Sequence, residues 1–439
     1  MQVAEGQGST ERGPVLQRFL HFAAGHEIWP VALAAAAGML SERLLPLSVA
    51  VAGVFWLVRR AARGHFTRRT LADLPVLVLV LLLPVTLCVT IQPEKTLPQV
   101  LRLLSGTGLY YALVNWADRP ARLRLAAWGL ILAGAVLALA APLTVSWNSE
   151  KFAFIPAGFY EHFPPLITDT ANPNVMAGSL VILLPLAAGL ILFSWRICSR
   201  FQRFLLCACA LLMAGVLVLT QSRGALLGMA ASLAVLAGLR WRRGWLLLPA
   251  GAGASLAAAF VLGLDRALQF LSGATSLGGW EGRVEVWSRA AAMIRDFPLS
   301  GIGMGTFTQV ADRLYPFFQY RAGTVEHAHN LFLQVAVDLG LPGLLAWLAV
   351  LVLSFLAGWE TYRVGKGNFW GPGSASSTQV PVLLAGLGAG LLAAQSALVV
   401  HGLLDAVTWG MVRPAPLVWA LWGLACSAGL VVHLPGSER

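Results

Sequence analysis

The chain has 439 residues, 57% of them hydrophobic and only 12% charged, with a mean hydropathy of +0.72. That balance excludes a water-soluble globular enzyme and makes lipid the main solvent, so an all-α polytopic membrane protein is expected. The 31 Lys and Arg against 20 Asp and Glu would suit nucleic acid in a soluble domain; here many arginines sit in short loops between apolar runs, where topology explains them, and no nucleic-acid partner is expected.

Residues 1–27 are polar and mixed, with no short apolar stretch followed by a small-residue cleavage site. They read as a cytoplasmic N-terminal segment without a cleaved signal peptide. A spanning helix needs about 20 apolar residues. Such runs fall near 28–41, 44–58, 71–91, 97–116, 123–141, 173–194, 204–220, 222–239 and 244–264, giving nine spans in residues 28–264. The first two are parted only by Ser41-Glu42-Arg43, so they are either a tilted pair or one broken helix. A long loop, 265–328, precedes three further runs near 330–358, 379–404 and 408–432, which fill residues 329–432 and leave 433–439 as a cytoplasmic tail. About twelve spans are therefore expected. Cys88, Cys198, Cys207, Cys209 and Cys426 lie in or beside apolar runs and read as small hydrophobes. The glycines at 386, 388 and 390 suit close helix packing in lipid.

Orientation follows from Lys and Arg in the short loops. Arg59, Arg60, Arg63, Arg68 and Arg69 mark one side, and Arg119, Arg122 and Arg124, then Arg196, Arg200 and Arg203, then Arg240, Arg242 and Arg243 recur there at every second loop. With that side cytoplasmic, residues 142–172 and 265–328 face outward. Within the long loop, Val284, Trp287, Ala291 and Ile294 at helical spacing predict an amphipathic helix ending at Phe297-Pro298. Gly301-Ile302-Gly303-Met304-Gly305 follows. It superficially suggests a phosphate loop, but no strand–helix–strand unit surrounds it, and turn chemistry between two short helices is the better reading.

Candidate chemistry gathers on the outward side. His327-Ala328-His329-Asn330-Leu331 puts imidazoles where a membrane helix meets water, able to take a proton near physiological pH. Thr220-Gln221-Ser222-Arg223-Gly224 sits at a tight outer turn, and Arg283, Arg289, Arg321 and Arg413 share that face, where the positive-inside rule gives no reason for them. Each alone is explained equally well as a snorkelling anchor; together they suggest an anion site, since guanidinium forks match phosphate oxygens. Asp338 lies two helical turns into the span opened by His329 and either faces a cavity or forms a buried structural pair. His401 and Asp405, four residues apart, are either functional or locally hydrogen-bonded. No cluster of metal ligands is evident from spacing, so neither a metal nor another cofactor is expected.

As a set these residues resemble the O-antigen ligase and O-antigen polymerase superfamily of bacterial membrane glycosyltransferases. The resemblance runs from about residue 170 onward. Its marks are Asn172-Pro173-Asn174, Ser222-Arg223-Gly224, Gly282-Arg283 with Trp287, Pro298 to Gly305, and His329-Asn330 followed after nine residues by Gly340 and after two more by Gly343. The resemblance implies a GT-C-like fold in the bacterial inner membrane. It further implies inverting, metal-independent transfer of a glycan from an undecaprenyl diphosphate carrier to a hydroxyl of another glycan, a lipid A core or a further acceptor, on the periplasmic or outer face. By motif match His329 is the candidate base, with His327 second and Glu326 third. Arg223 and Arg283, with Arg321, would grip the diphosphate, and Asn330, Asn172, Asn174 and Asp338 would support the site. Ligase and polymerase both remain open. A transporter of a lipid-linked sugar or a small anion such as bicarbonate is the alternative, although no internal repeat of the kind common in transporters is visible.

Overall fold

The computed structural model describes residues 12–147, 157–163, 166, 171–263, 280–369 and 379–433. Residues 1–11 of the N-terminal segment, 265–279 of the long loop and 434–439 of the tail lie outside them, as does much of 148–170.

Apolar runs with few turn residues form helices because only a helix satisfies every backbone group internally in lipid. In chain order these are α1 (Arg12–Gly25), α2 (Ile28–Leu40), α3 (Leu45–Arg63), α4 (Asp73–Val89), α5 (Pro93–Trp116), α6 (Pro120–Thr144), α7 (Ala157–Tyr160), α8 (Pro173–Ser194), α9 (Arg200–Leu219), α10 (Arg223–Arg240), α11 (Leu247–Leu262), α12 (Trp280–Asp296), α13 (Phe307–Leu314), α14 (Leu331–Phe369), α15 (Gln379–Gly402) and α16 (Pro416–Val431). Each expected apolar run overlaps one of these helices. Among the described residues, seven helices are long and apolar enough to cross a membrane: Glu42–Arg63, Pro120–Thr144, Pro173–Ile197, Arg200–Leu219, Arg223–Arg240, Leu331–Gly367 and Gln379–Gly402. Ile28–Leu40, Asp73–Val89 and Pro416–Val431 are apolar but shorter. The described part is thus an all-α integral membrane protein.

Two details depart from the sequence reading, and a third bears on an alternative it left open. The N-terminal segment contains a helix, α1, whose Val15, Leu16, Phe19 and Phe22 are exposed; their spacing makes one apolar stripe, as in helices that lie in a bilayer interface. Arg59 is no loop charge: it is buried, 3.3 Å from Glu27, and donates to the Tyr111 carbonyl at 3.0 Å. The topological signal in that region rests on its neighbours instead. Finally, α2 and α3 pack against each other across a short 3₁₀ turn, Glu42–Leu44, so the first two runs are a pair.

The central helix is α15, buried along most of its length and packed against α8, α10 and α14. Small residues permit the approach: a Cβ on Gly189 would lie 2.6 Å from the backbone of Gly390. Against one end of this bundle sits a small cap made of α12, α13 and the loops around them, with its own core of Val286, Ala290, Met293, Ile302, Phe307 and Val310. The cap is stitched to α14. Ile302 N–H donates to Val337 O at 2.8 Å, and Leu341 N–H donates to Pro298 O at 2.7 Å. Between those bonds α14 breaks at Gly340, where φ is 71° and a Cβ would fall 2.7 Å from the Leu299 backbone. Only glycine suits both demands. The stretch Gly301–Gly305 is indeed a turn between two short helices, and it wedges against this break.

Candidate functional site

The site forms where α8, α10 and α14 begin and α15 ends. Three consecutive residues after α15 gather the motif side chains. Leu403 O accepts from Asn330 Nδ2 at 3.1 Å, Leu404 O accepts from Arg283 Nη1 at 2.7 Å, and Asp405 Oδ1 lies 4.0 Å from His327 Nε2. Residues some 75 to 120 positions apart are thereby fixed on one short stretch of backbone. Asn330 also starts α14, since its Oδ1 accepts from the N–H groups of Phe332 and Leu333, both at 3.0 Å.

The two histidines are not equivalent. His329 donates its backbone N–H to His327 Nδ1 at 3.1 Å. A backbone N–H can only donate, so Nδ1 is an acceptor and the neutral His327 ring carries its proton on Nε2, facing Asp405. Nδ1 of His327 is therefore committed, while Nε2 points toward Asp405 from 4.0 Å, beyond hydrogen-bond reach. The His329 ring lies 4.0 Å from the His327 ring, centroid to centroid, tilted by 46°, is partly open to solvent, and has no hydrogen bond among the described residues. Burial depresses the proton affinity of both rings, well below the usual histidine range for His329, with His327 and Arg283 adding to the effect and Asp405 opposing it. Near neutral pH both are uncharged. For Asp405, burial alone would raise the carboxyl, but the surrounding imidazoles and the Ala406 N–H, 2.7 Å away, outweigh it and hold it below the usual carboxylate range.

Backbone strain marks two places. Among the described residues the non-glycine positions with positive φ are Gln221, at 51°, and His329, at 48°. The left-handed region costs a residue with a side chain about 1–2 kcal/mol, and such residues concentrate where geometry serves function. One strained residue opens the Ser222-Arg223-Gly224 turn and the other is the motif histidine. The Gln221 side chain donates to Tyr160 Oη at 2.7 Å, which in turn donates to Leu219 O at 2.9 Å, holding that turn. Gly224 then packs on His401: a Cβ there would sit 3.2 Å from the ring. His401 is fully buried; its carbonyl accepts the Asp405 N–H at 3.0 Å, so the local His401–Asp405 bond runs through the backbone, and among the described residues its ring nitrogens make no hydrogen bond to the Asp405 carboxylate. Asp405 turns to His327 instead.

Arg283 is buried at 9% exposure, and while Nη1 is spent on Leu404, its Nε has no acceptor among the described residues. A buried, unsatisfied guanidinium donor invites an anion. The other arginines divide. Arg223 opens α10, half-buried, one residue before the Gly224 that packs on His401. Arg321 is exposed on a turn closed by Thr324. Arg289 is occupied structurally, 3.6 Å from Glu285 and stacked over Phe318. Asp338 is fully buried and its carboxylate is filled by Gln334 Nε2 at 2.9 Å and Trp409 Nε1 at 2.8 Å, while Gln334 Oε1 accepts from Ala328 N–H at 2.8 Å. It thus braces the histidine loop from below and does not join an arginine. Asn172 caps α8, accepting from Asn174 N–H at 2.9 Å, and neither side chain bonds to a histidine. Glu326 is exposed.

Spacing gave no metal set, yet folding does bring one ligand atom each of His327, His329 and Asp405 within 4.8 Å of one another. These three have the chemistry to hold a divalent ion. Two observations weigh against it. The nitrogen of His327 nearest His329 already accepts a backbone N–H, and the Arg283 guanidinium competes for the same carboxylate field.

A helical membrane protein with a buried arginine, a histidine held by a backbone N–H and facing an aspartate, and a second, uncommitted histidine at one end of its bundle has the parts of an anion-binding, proton-accepting site. Residues 208–348 match the O-antigen ligase family model, which supports placement in the O-antigen ligase superfamily and, in general terms, a glycosyltransferase of the ligase or polymerase type. The matched stretch contains Arg223, Arg283, Arg321, His327, His329, Asn330 and Asp338, whereas Asn172, Asn174, His401 and Asp405 fall outside it. Comparison with curated proteins finds no match.

Proposed function

We propose that this protein transfers a glycan from an undecaprenyl diphosphate carrier to an acceptor hydroxyl, with inversion and without a metal, at the periplasmic or outward face of a bacterial inner membrane. The observation that carries the reading is the asymmetry of the histidines: His327 is tied through Nδ1 to the His329 N–H with its other nitrogen toward Asp405, and the His329 ring is left neutral and partly open. The acceptor O–H gives its proton to His329 as its oxygen bonds to the anomeric carbon, and the bond from that carbon to the diphosphate breaks. The leaving group departs as the diphosphate anion, whose charge Arg283 and Arg223 stabilise. Asn330 fixes the start of α14, and Asp338 braces the loop. Arg321, exposed, would meet the diphosphate only at the rim.

Purified protein in detergent, where no gradient exists, should transfer a labelled glycan from the carrier to an acceptor, with undiminished rate in excess EDTA. Failure of transfer in detergent but uptake in sealed vesicles would establish a transporter instead, and loss of transfer in EDTA restored by one divalent ion would put a metal on His327, His329 and Asp405. The pH profile gives a second test. A base whose proton affinity is depressed is in its active, neutral form above that lowered value, so kcat/KM should stay level as pH falls through about 6.5 and decline only below it. A midpoint at or above 7 would exclude His329 as the base.

A further inference from the structure

The end of the bundle opposite the histidines holds a cavity of about 600 Å³. Its apolar wall includes Phe193, Leu239 and Val382, and its rim carries Arg196, Arg240 and Lys366. All three cations are exposed, and among the described residues none belongs to an ion pair and no Asp or Glu lines the cavity. Aromatic rings stand with them: Lys366 Nζ lies 5.5 Å from the centroid of Tyr362, and Trp195 at the rim is 37% exposed. Lys and Arg stems along apolar surface, with Trp and Tyr beside them, are the composition of a membrane–water boundary.

The position along the bundle fixes the depth. The same four helices, α8, α10, α14 and α15, form the histidine site at their other ends. From Val382 to His401 along α15, a rise of 1.5 Å per residue gives about 30 Å, the thickness of a hydrocarbon core. The cavity therefore opens at headgroup level in the leaflet opposite the site. Topology accounts for arginines on this face, but not for three cations converging on one apolar cavity with no counter-charge.

We propose that this cavity binds one anionic phospholipid, its phosphate held by Arg196, Arg240 and Lys366 and an acyl chain lying along Phe193, Leu239 and Val382. Basic recesses between membrane helices are suited to anionic headgroups, and the apolar depth adds hydrophobic burial that a free anion cannot use. The inference does not depend on the reaction assigned to the histidine end.

The test is native mass spectrometry of the purified full chain from micelles doped with phosphatidylglycerol or, separately, phosphatidylcholine. The wild-type protein should retain phosphatidylglycerol roughly tenfold or more better than phosphatidylcholine. Combining Arg196→Gln, Arg240→Gln and Lys366→Gln should bring retention down to the phosphatidylcholine level, while Arg119→Gln, in the α5–α6 connection, should leave it intact. A second combination, Arg196→Lys with Arg240→Lys, keeps the charge and should keep the lipid, which separates charge loss from misfolding. Equal retention of the two lipids, unchanged retention in the triple variant, or displacement by millimolar inorganic phosphate would each overturn the proposal.

Discussion

His329→Asn should lower single-turnover glycan transfer by roughly 100-fold or more, the range general-base catalysis commonly supplies, while leaving carrier binding nearly unchanged. Asparagine is the informative replacement because residue 329 sits at φ 48°, a conformation Asn adopts more readily than other residues with side chains. The backbone N–H that fixes His327 survives, so the variant removes the imidazole and little else. His327→Ala should cost less, acting by loosening the loop, and its defect should be partly repaired by a residue that still accepts the His329 N–H. A wild-type single-turnover rate in His329→Asn would end the assignment of this residue as base.

Arg283→Lys should weaken carrier binding and slow transfer together, by roughly 10- to 100-fold, although the charge is retained. Arg283 bonds Leu404 O through Nη1 at 2.7 Å and keeps a buried Nε for a ligand. An ammonium is a point donor and cannot do both from one position. The measurement is the affinity for a carrier diphosphate beside the transfer rate, since a group that holds the ground and transition states equally shifts KM alone. Unchanged values in both would make Arg283 a structural tie between the cap and the end of α15.

Much of the fold was legible because lipid leaves few choices: twenty apolar residues between arginines read as a helix, and each such run overlaps one. The break in α14 was less legible: Gly340 stands out by its spacing from His329-Asn330, but that it breaks the helix shows only once Pro298 and Leu299 are seen against it. The site divides the same way. His327, His329, Arg223 and Arg283 stand out because ionisable groups at membrane boundaries are costly. The partners of their supports do not. Asp338 finds Trp409, 71 residues away, and Asn330 finds Leu403, 73 residues away; no periodicity encodes such pairings. Asp405 drew notice through its i, i+4 relation to His401, and that relation is a backbone bond, Asp405 N–H to His401 O at 3.0 Å, while its carboxylate faces His327 from a distant part of the chain. The metal-capable grouping of His327, His329 and Asp405 was hidden for the same reason, the carboxylate lying on another helix end.

Arg283 lies close enough to His329 to help keep its ring unprotonated. A diphosphate seated on that guanidinium would cancel its field and add negative charge of its own, so the imidazole becomes a stronger base only after the donor has arrived. The midpoint for kcat should accordingly lie above the midpoint for kcat/KM. This imposes an order of events: donor first, proton removal second. An empty site does little to activate the water that reaches it, and the carrier itself arms the histidine that will consume it.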